Sequence, residues 1–473
     1  MRKLQGLGGA AFWLAECLFG ATGGTEVIEA RVRVANKDGD FTILVGGKSL
    51  REVEQIAKTR YPESTVRIAL PGGGDEGLKP LGKARVAVVH EWLVGYVGGY
   101  ERVAANICEI FPDADHFALV HDAKAFCGTP LEKIRVETSF IQSLPMSRKK
   151  YQAYLPLMPV AVERFDLSSY DIIISSSHAV AKGVITSPNQ LHICYLHARN
   201  LKYAYEDRFF YPRSAIGGLA QDFILSPIRV WDAVASRRPD YTIANSRYVS
   251  DWHLHRHGVH SKVIYPPVDL ALFSDHYRTV KDEYYVTVCR LEPYKRVDLL
   301  VEAFKSIGLR LVIVGDGSML AALKEVASSS PNIEFLGQCD SATVARVVAR
   351  AKAFVFVARE DFGIAPLEAQ ACGTPVVAYS EGGVAETIVG YPAPDVTGLF
   401  FDAQTPDGVV AAVQLFEASE EQFDPQACRR NAERFGQERF RREFKAAVEG
   451  LWDKFQRGEN PEWDVPLASI PAP

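Results

Sequence analysis

Residues 353–383 read AFVFVAREDFGIAPLEAQACGTPVVAYSEGG. An apolar run gives way to a polar loop, a short helical segment, a second apolar run and a Gly-Gly turn. That order is the signature of a strand, a crossover helix and a parallel strand. Two of its carboxylates stand out. Glu360 stands just past the first strand, and Glu368 lies in the helix that Pro366 opens, because proline's fixed φ and missing N–H suit a first helical turn. Ligands of open parallel sheets bind at the carboxyl ends of strands, so both glutamates are placed where a ligand belongs.

The same alternation extends in both directions. Before it come the strand YYVTVCR, the helix VDLLVEAF, the strand RLVIVGDG, the helix MLAALKEVAS, the strand IEFLG and the helix ATVARVVARA. Val297, Leu300, Val301 and Phe304 recur at helical spacing and give their helix one apolar face. A long helix near Pro425 to Phe455, charged on one side and apolar on the other, closes the series. An earlier set starts at Arg85 with RVAVVHEWL, a glycine turn (Gly95 to Gly99) and the helix YERVAANICEIF. It continues through DHFALV, DIIISSS, LHICYLH and DYTIAN, then Asn245-Ser246 as a helix N-cap signal, and ends at Pro266-Pro267. Two such sets imply an α/β protein with two doubly wound, Rossmann-like domains facing across a cleft. The expected boundaries are 83–272 and 273–455.

The ends are different. Residues 30–70 alternate as strand (ARVRVA), turn (NKDGD), strand (FTILVGG), helix (SLREVEQIAKTRY) and strand (TVRIAL), and PGGGDEGLKPLGK reads as a linker. Residues 1–82 are therefore a small N-terminal extension, and 456–473 form a proline-rich tail. The start, MRKLQGLGGAAFWLAECLFG, resembles a short signal peptide, but Glu16 and Cys17 interrupt it. With 473 residues, 47% hydrophobic and 23% charged, the chain has an ordinary soluble composition and needs more than one core. A formal net charge of -5 gives no sign of a nucleic-acid partner. Eight cysteines, scattered singly without a CxxC pair, fit buried hydrophobes in a reducing, cytoplasmic setting. No apolar run is long enough to span a bilayer.

The second domain offers a phosphate site. Arg290 ends the strand YYVTVCR and Lys295 follows five residues on, near the next helix start. A guanidinium fork, an ammonium and a helix N-terminus together suit a diphosphate. Alone this spacing also fits solvated surface charges. It gains specificity from Glu360 and Glu368 at a corresponding strand end of the same sheet.

Taken together, Arg290-Leu-Glu-Pro-Tyr-Lys295, Val314-Gly-Asp-Gly317 and Glu360-Asp-Phe-Gly-Ile-Ala-Pro-Leu-Glu368 resemble glycosyltransferase family 4, the retaining, nucleotide-sugar-dependent enzymes of the GT-B fold. The likeness covers roughly residues 85–452. It is greatest to bacterial mannosyltransferases that build O-antigen, lipopolysaccharide and capsule. The resemblance implies roles. Arg290 and Lys295 would bind the donor diphosphate and stabilise its charge as it leaves. Glu368 would accept hydrogen bonds from ribose hydroxyls, and Glu360 would contact the transferred sugar. Backbone N–H groups of Phe362, Gly363 and Ile364 would hold sugar hydroxyls or phosphate, with Gly363 permitting a close approach that a Cβ would block. Gly315 and Gly317 would line the donor side, Gly98 and Gly99 the phosphate and acceptor side. His197, ending the strand LHICYLH, would face the donor sugar. No metal or other cofactor is implied, and GDP-mannose is the favoured donor, with UDP-glucose open. One departure stands out: the family has proline and serine or threonine after this histidine, whereas here His197-Ala-Arg-Asn-Leu-Lys-Tyr203 carries an extra residue and no proline.

Other signals point less far. Asp113-Ala-Asp115 matches a metal-binding DxD but falls between a helix and a strand, a usual place for solvated aspartates. His253, His255, His257 and His260 lack a cysteine or carboxylate to complete a zinc set and read as a solvated helix end. Residues 144–165, LPMSRKKYQAYLPLMPVAVERF, mix a basic cluster with aromatic and apolar residues. They suit either a peripheral contact with an anionic bilayer carrying a lipid-linked acceptor or an ordinary helix pair. A sugar-nucleotide epimerase, a phosphorylase or a non-catalytic nucleotide-sugar binding protein would share the scaffold. The phosphorylase would need a lysine-bound pyridoxal phosphate, and the intact charged set argues against mere binding.

Overall fold

The computed structural model describes residues 28–36, 39–47, 65–69, 78–95, 98–205, 215–277 and 280–459. The signal-like start, the expected helix between residues 49 and 61, and the tail beyond residue 459 lie outside them. The described chain divides into two units. In the smaller, β1 (Ile28–Asn36) pairs antiparallel with β2 (Gly39–Gly47) on one side and β3 (Thr65–Ala69) on the other. These are the three strands expected of the extension.

The larger unit runs through Lys79–Thr186 and Gln190–Asp453 and holds two lobes. The first lobe is built on β4 (Val86–Leu93), β5 (Asp115–His121), β6 (Val136–Thr138), β7 (Ile172–Ser177), β8 (Leu191–Leu196), β9 (Tyr241–Ala244) and β10 (Lys262–Val263). Every pairing is parallel, in the order β10-β9-β8-β7-β4-β5-β6. The second lobe uses β11 (Asp282–Val288), β12 (Leu311–Val314), β13 (Ile333–Gly337), β14 (Ala351–Phe356), β15 (Val376–Tyr379) and β16 (Gly398–Phe401), also parallel, in the order β13-β12-β11-β14-β15-β16. The chain reverses direction across each sheet, between β4 and β7 in one and between β11 and β14 in the other. Those switch points are where such sheets bind ligands.

Why these runs are strands is visible in how they pack. Along β14 and just beyond, Ala353, Val355 and Val357 enter one core cluster while Phe354, Phe356 and Ala358 enter the cluster on the opposite face. In β12, Leu311 and Ile313 alternate with Val312 and Val314 in the same way. Period-two placement with both faces apolar marks a sheet covered on both sides, as βαβ crossovers produce. The crossover helices follow suit. Val297, Leu300, Val301 and Phe304, all buried, turn the predicted face of the helix Val297–Ile307 to the core. Each such side chain contributes about 1.5–3 kcal/mol by leaving water.

Three expectations change. The strand before Arg290 ends at Val288, although Cys289 N–H and Leu291 N–H still reach Val314 and Asp316 carbonyls at 3.1 and 2.9 Å. The helix expected to open at Pro366 begins at Ile364. Proline is then its third residue, still in the first turn where a missing N–H costs nothing. The final long helix is two, Pro425–Glu433 and Gln437–Gln456. Phe435 is buried against Val268, Phe362 and Leu367, its carbonyl accepts the Val268 N–H at 3.0 Å, and the chain turns there. Phe440 and Phe444 of the last helix then meet Tyr195 of the first lobe edge-on, with centroids 5.8 and 5.9 Å away.

Candidate functional site

The second-lobe half of the site is a loop, a turn and a helix start. After β11 the chain forms a short turn, Pro293–Lys295, and Arg296 adopts a left-handed conformation (φ 53°) before the next helix. This aims Lys295 across the switch point, where its ammonium ion-pairs with Glu360 from the loop after β14. Arg290 lies beside it and donates from Nη2 to the Tyr294 hydroxyl at 3.0 Å. Burial is the main influence drawing Lys295 down, to about 7, with Lys202 and Arg290 adding to it. The Glu360 carboxylate is the ion-pair partner of the Lys295 ammonium.

Glycines frame these loops rather than leaving them open. A Cβ on Gly315 (φ 135°) would lie 1.9 Å from the Cys289 carbonyl oxygen, and one on Gly317 (φ 158°) 2.5 Å from that of Leu291. Both residues therefore support the Arg290 loop from beneath. Gly382 and Gly383 do the same for the Glu360 loop, and the Gly383 N–H reaches the Glu360 carbonyl at 2.8 Å. Gly363 is shaped by its own conformation. A Cβ there would meet no protein atom closer than 3.6 Å, and its positive φ of 90° favours glycine. Phe362 is an anchor, buried with Val268, Leu367 and Phe435, and it fixes the loop from which Gly363 and Ile364 start the helix.

The first-lobe half faces this one. Gly98 caps the helix Gly99–Ile110, and its N–H is taken by Glu101 Oε2 at 2.9 Å. A Cβ on Gly99 would stand 2.2 Å from Ile364 Cδ1, so the two helix starts meet here. One turn on from each, Arg102 ion-pairs with Glu368. Glu368 is thus held by a first-lobe arginine that sequence reasoning missed. His197 follows β8, its Nε2 2.8 Å from Ser176 Oγ and its ring edge-on to Tyr100 at 4.9 Å. Burial, reinforced by His178, pushes His197 down to about 3, so its imidazole is neutral at physiological pH.

Beneath them lies a group that the strand RVAVVHEWL hid. Glu91 is fully buried. One carboxylate oxygen accepts from Ser177 Oγ and from the N–H groups of His178, Ala179 and Ala181 at 2.8–3.1 Å, and the other lies 2.9 Å from His178 Nδ1. Burial alone would raise this acid, but His178 and the N–H donors outweigh it and hold it down at about 2. An acidic residue in an otherwise apolar strand was the available signal.

A second missed residue joins the lobes. Asp361, 6% exposed, receives Arg199 Nη1 at 2.7 Å and Lys202 Nζ at 3.4 Å, while its carbonyl accepts from Ser246 Oγ at 2.6 Å. Burial would raise the Asp361 acid, and Lys202 and Arg199 together hold it below the usual range. Arg199 and Lys202 belong to the loop after His197 that departs from the family pattern. Glu386 completes the seam. It accepts from the N–H groups of Arg247 and Tyr248, at the start of the helix Arg247–His257, at 2.8 and 2.9 Å.

The set-aside signals resolve too. Asp115 opens β5, at the sheet edge opposite the site, and accepts from the Tyr170 hydroxyl at 2.9 Å. His253 and His257 are not solvated: both are buried, with ring centroids 5.3 Å apart, and burial pushes His253 down to about 3.

Two family models match end to end, Glycosyltransferase Family 4 over residues 97–272 and Glycosyl transferases group 1 over 272–435. A GDP-mannose-dependent monoacylated alpha-(1-6)-phosphatidylinositol monomannoside mannosyltransferase of Corynebacterium glutamicum is 36% identical over 132 residues, 25% of this chain and 33% of that protein. A D-inositol 3-phosphate glycosyltransferase of Segniliparus rotundus is 29% identical over 184 residues, 34% of this chain and 40% of that protein. The matched chain therefore spans between 33% and 40% of the length of these relatives. Among solved structures, HepE of Anabaena in complex with UDP-glucose superposes with a TM-score of 0.55 at 19% identity, covering 77% of this chain and 99% of that one. Sucrose-phosphate synthase of Thermosynechococcus elongatus gives 0.58 at 18% identity, covering 78% and 99%. Both are likenesses of fold.

Proposed function

Over residues 97–435 the chain belongs to the family 4 glycosyltransferases, with the two-lobed GT-B fold, and we propose that it is a retaining enzyme moving mannose from GDP-mannose to a glycan or lipid-linked acceptor of a cell-surface polysaccharide. The observation that carries this reading is the Arg290, Lys295 and Glu360 cluster at the switch point of the second sheet, opposite His197 and the Gly98-Gly99 helix start. The choice of donor rests on relatives named for GDP-mannose.

Breaking a sugar–phosphate bond develops positive charge at the anomeric carbon and negative charge on the departing diphosphate. Arg290 and Lys295 are fixed before the reaction and take up the negative charge without reorganising, the arrangement that lowers such barriers most. They do so with no metal ion in our reading. Glu360, against Lys295, lies where it can accept from hydroxyls of the transferred sugar. His197, neutral and oriented by Ser176, is a hydrogen-bonding partner for that sugar and not a proton source. Attack then comes from the face the diphosphate leaves, and its phosphate oxygen takes the acceptor proton. Glu368 serves the ribose, exchanging Arg102 for hydroxyl donors.

A lipid-linked acceptor calls for a membrane contact at the inner face of the cell membrane, and residues 144–165 supply a surface for one. Met146, Leu157 and Val160 are exposed beside Arg148, Lys149 and Lys150. No helix among the described residues is long and apolar enough to cross a bilayer. The test is release of nucleoside diphosphate from a panel of nucleotide-sugars in the presence of a bacterial lipid extract. GDP-mannose is expected to be turned over, with Lys295→Ala and Glu360→Gln slower by about 100-fold while still folded. Full activity in both folded variants would refute the assignment.

A further inference from the structure

Tyr294 is the meeting point of three cations. Arg290 donates to its hydroxyl, and the ammonium groups of Lys295 and Lys202 lie 5.3 and 5.2 Å from its ring centroid. Two of these come from the second lobe and were expected of a phosphate site. Lys202 comes from the first lobe, on the loop that carries an extra residue after His197. Its backbone is fixed, since the neighbouring Leu201 and Ala204 are buried in the first-lobe core. The Lys202 side chain is 33% exposed, against 10% for Arg199, and its Nζ lies 3.4 Å from Asp361, against 2.7 Å for Arg199 Nη1. Arg199 is thus the buried partner of Asp361, and Lys202 reaches past it toward the Arg290 and Lys295 side.

Among the described contacts, Arg199 and Lys202 meet Asp361, Lys295 meets Glu360, and Arg290 donates to the Tyr294 hydroxyl. Lys202 thus shares one aromatic ring with the two second-lobe groups expected of a phosphate site, a geometry that suits a diphosphate between them.

We propose that Lys202 is a third ligand of the donor's diphosphate, carried by the first lobe onto the Arg290–Lys295 site, so that the leaving group is gripped from both lobes. The inference rests on the functional reading above, and its test separates the two. Calorimetric titrations of GDP against GMP, and of UDP against UMP, are made with the wild-type chain, Lys202→Ala, Lys202→Arg and Asp361→Asn, with thermal midpoints recorded for each.

Wild-type protein is expected to prefer one diphosphate to its monophosphate. Lys202→Ala is expected to lose about tenfold in affinity for that diphosphate, with the monophosphate affected far less, and Lys202→Arg to recover most of the loss. Asp361→Asn, which keeps the third cation, should retain the preference. If Lys202 only gripped Asp361, Lys202→Ala and Asp361→Asn would weaken diphosphate and monophosphate binding alike. That result, or an unchanged preference in Lys202→Ala, overturns the inference while the wild-type preference still upholds the site. A wild-type chain with no preference for either diphosphate would refute the site itself, and the inference with it.

Discussion

Glu91 shows how strongly single residues are committed here. A carboxylate with no exposure survives in an apolar strand because four donors and an imidazole surround it. Its acid stands at about 2 in the fold, against 4.5 ordinarily. A depressed acid stabilises the fold above its unfolded value and loses that contribution as pH falls through the folded one, a difference of about 3 kcal/mol. Wild type should therefore exceed Glu91→Gln in stability by about that amount at neutral pH, and the gap should narrow as pH drops below about 4.5. Urea denaturation of both proteins from about pH 7 to pH 3 measures it. A pH-independent gap would mean that the charge of Glu91 is not what the site uses. The same logic of paired burial governs Asp361, where losing the carboxylate would strand Arg199 and Lys202.

At the scale of elements, strand ends do the positioning and glycines make the loops beyond them possible. Gly315→Ala brings a Cβ to 1.9 Å from the Cys289 carbonyl at a φ that alanine avoids. It should cost about 2 kcal/mol or more in chemical denaturation and weaken nucleoside diphosphate binding, because the displaced backbone carries Arg290. Binding unchanged in the variant would show that the loop does not depend on this support. Much at this scale was legible beforehand. Apolar runs and their helical intervals placed β4, β5, β7, β8, β9 and β11–β15 within a few residues, because a sheet covered on both faces leaves a plain hydrophobic record. The helices Ala215–Ala235 and Pro406–Ser419 and the strand β16 were not foreseen. The last helix read as one because Phe435 continues its apolar spacing; what breaks it is a contact with Val268, remote in sequence. His253 and His257 read as solvated because their neighbours are polar, although the face they share is buried.

Over the whole molecule, pattern gave way to contact. Arg290, Lys295, Glu360 and Glu368 could be picked out singly, since motif order names them. Their partners could not. Arg102 is 266 residues from Glu368, and Arg199 is 162 from Asp361; no local spacing links such pairs. These cross-lobe pairs place the carboxyl edges of the two sheets against each other, with the helix starts at Gly99 and Ile364 in contact. In our account the donor enters that seam, its diphosphate on the second-lobe cations and its ribose at Glu368. The most direct test is a crystal structure of the chain with bound GDP. The account predicts the diphosphate between the Arg290 guanidinium and the Lys295 ammonium, with ribose hydroxyls on the Glu368 carboxylate. A nucleotide bound elsewhere, with those three side chains untouched, would contradict it.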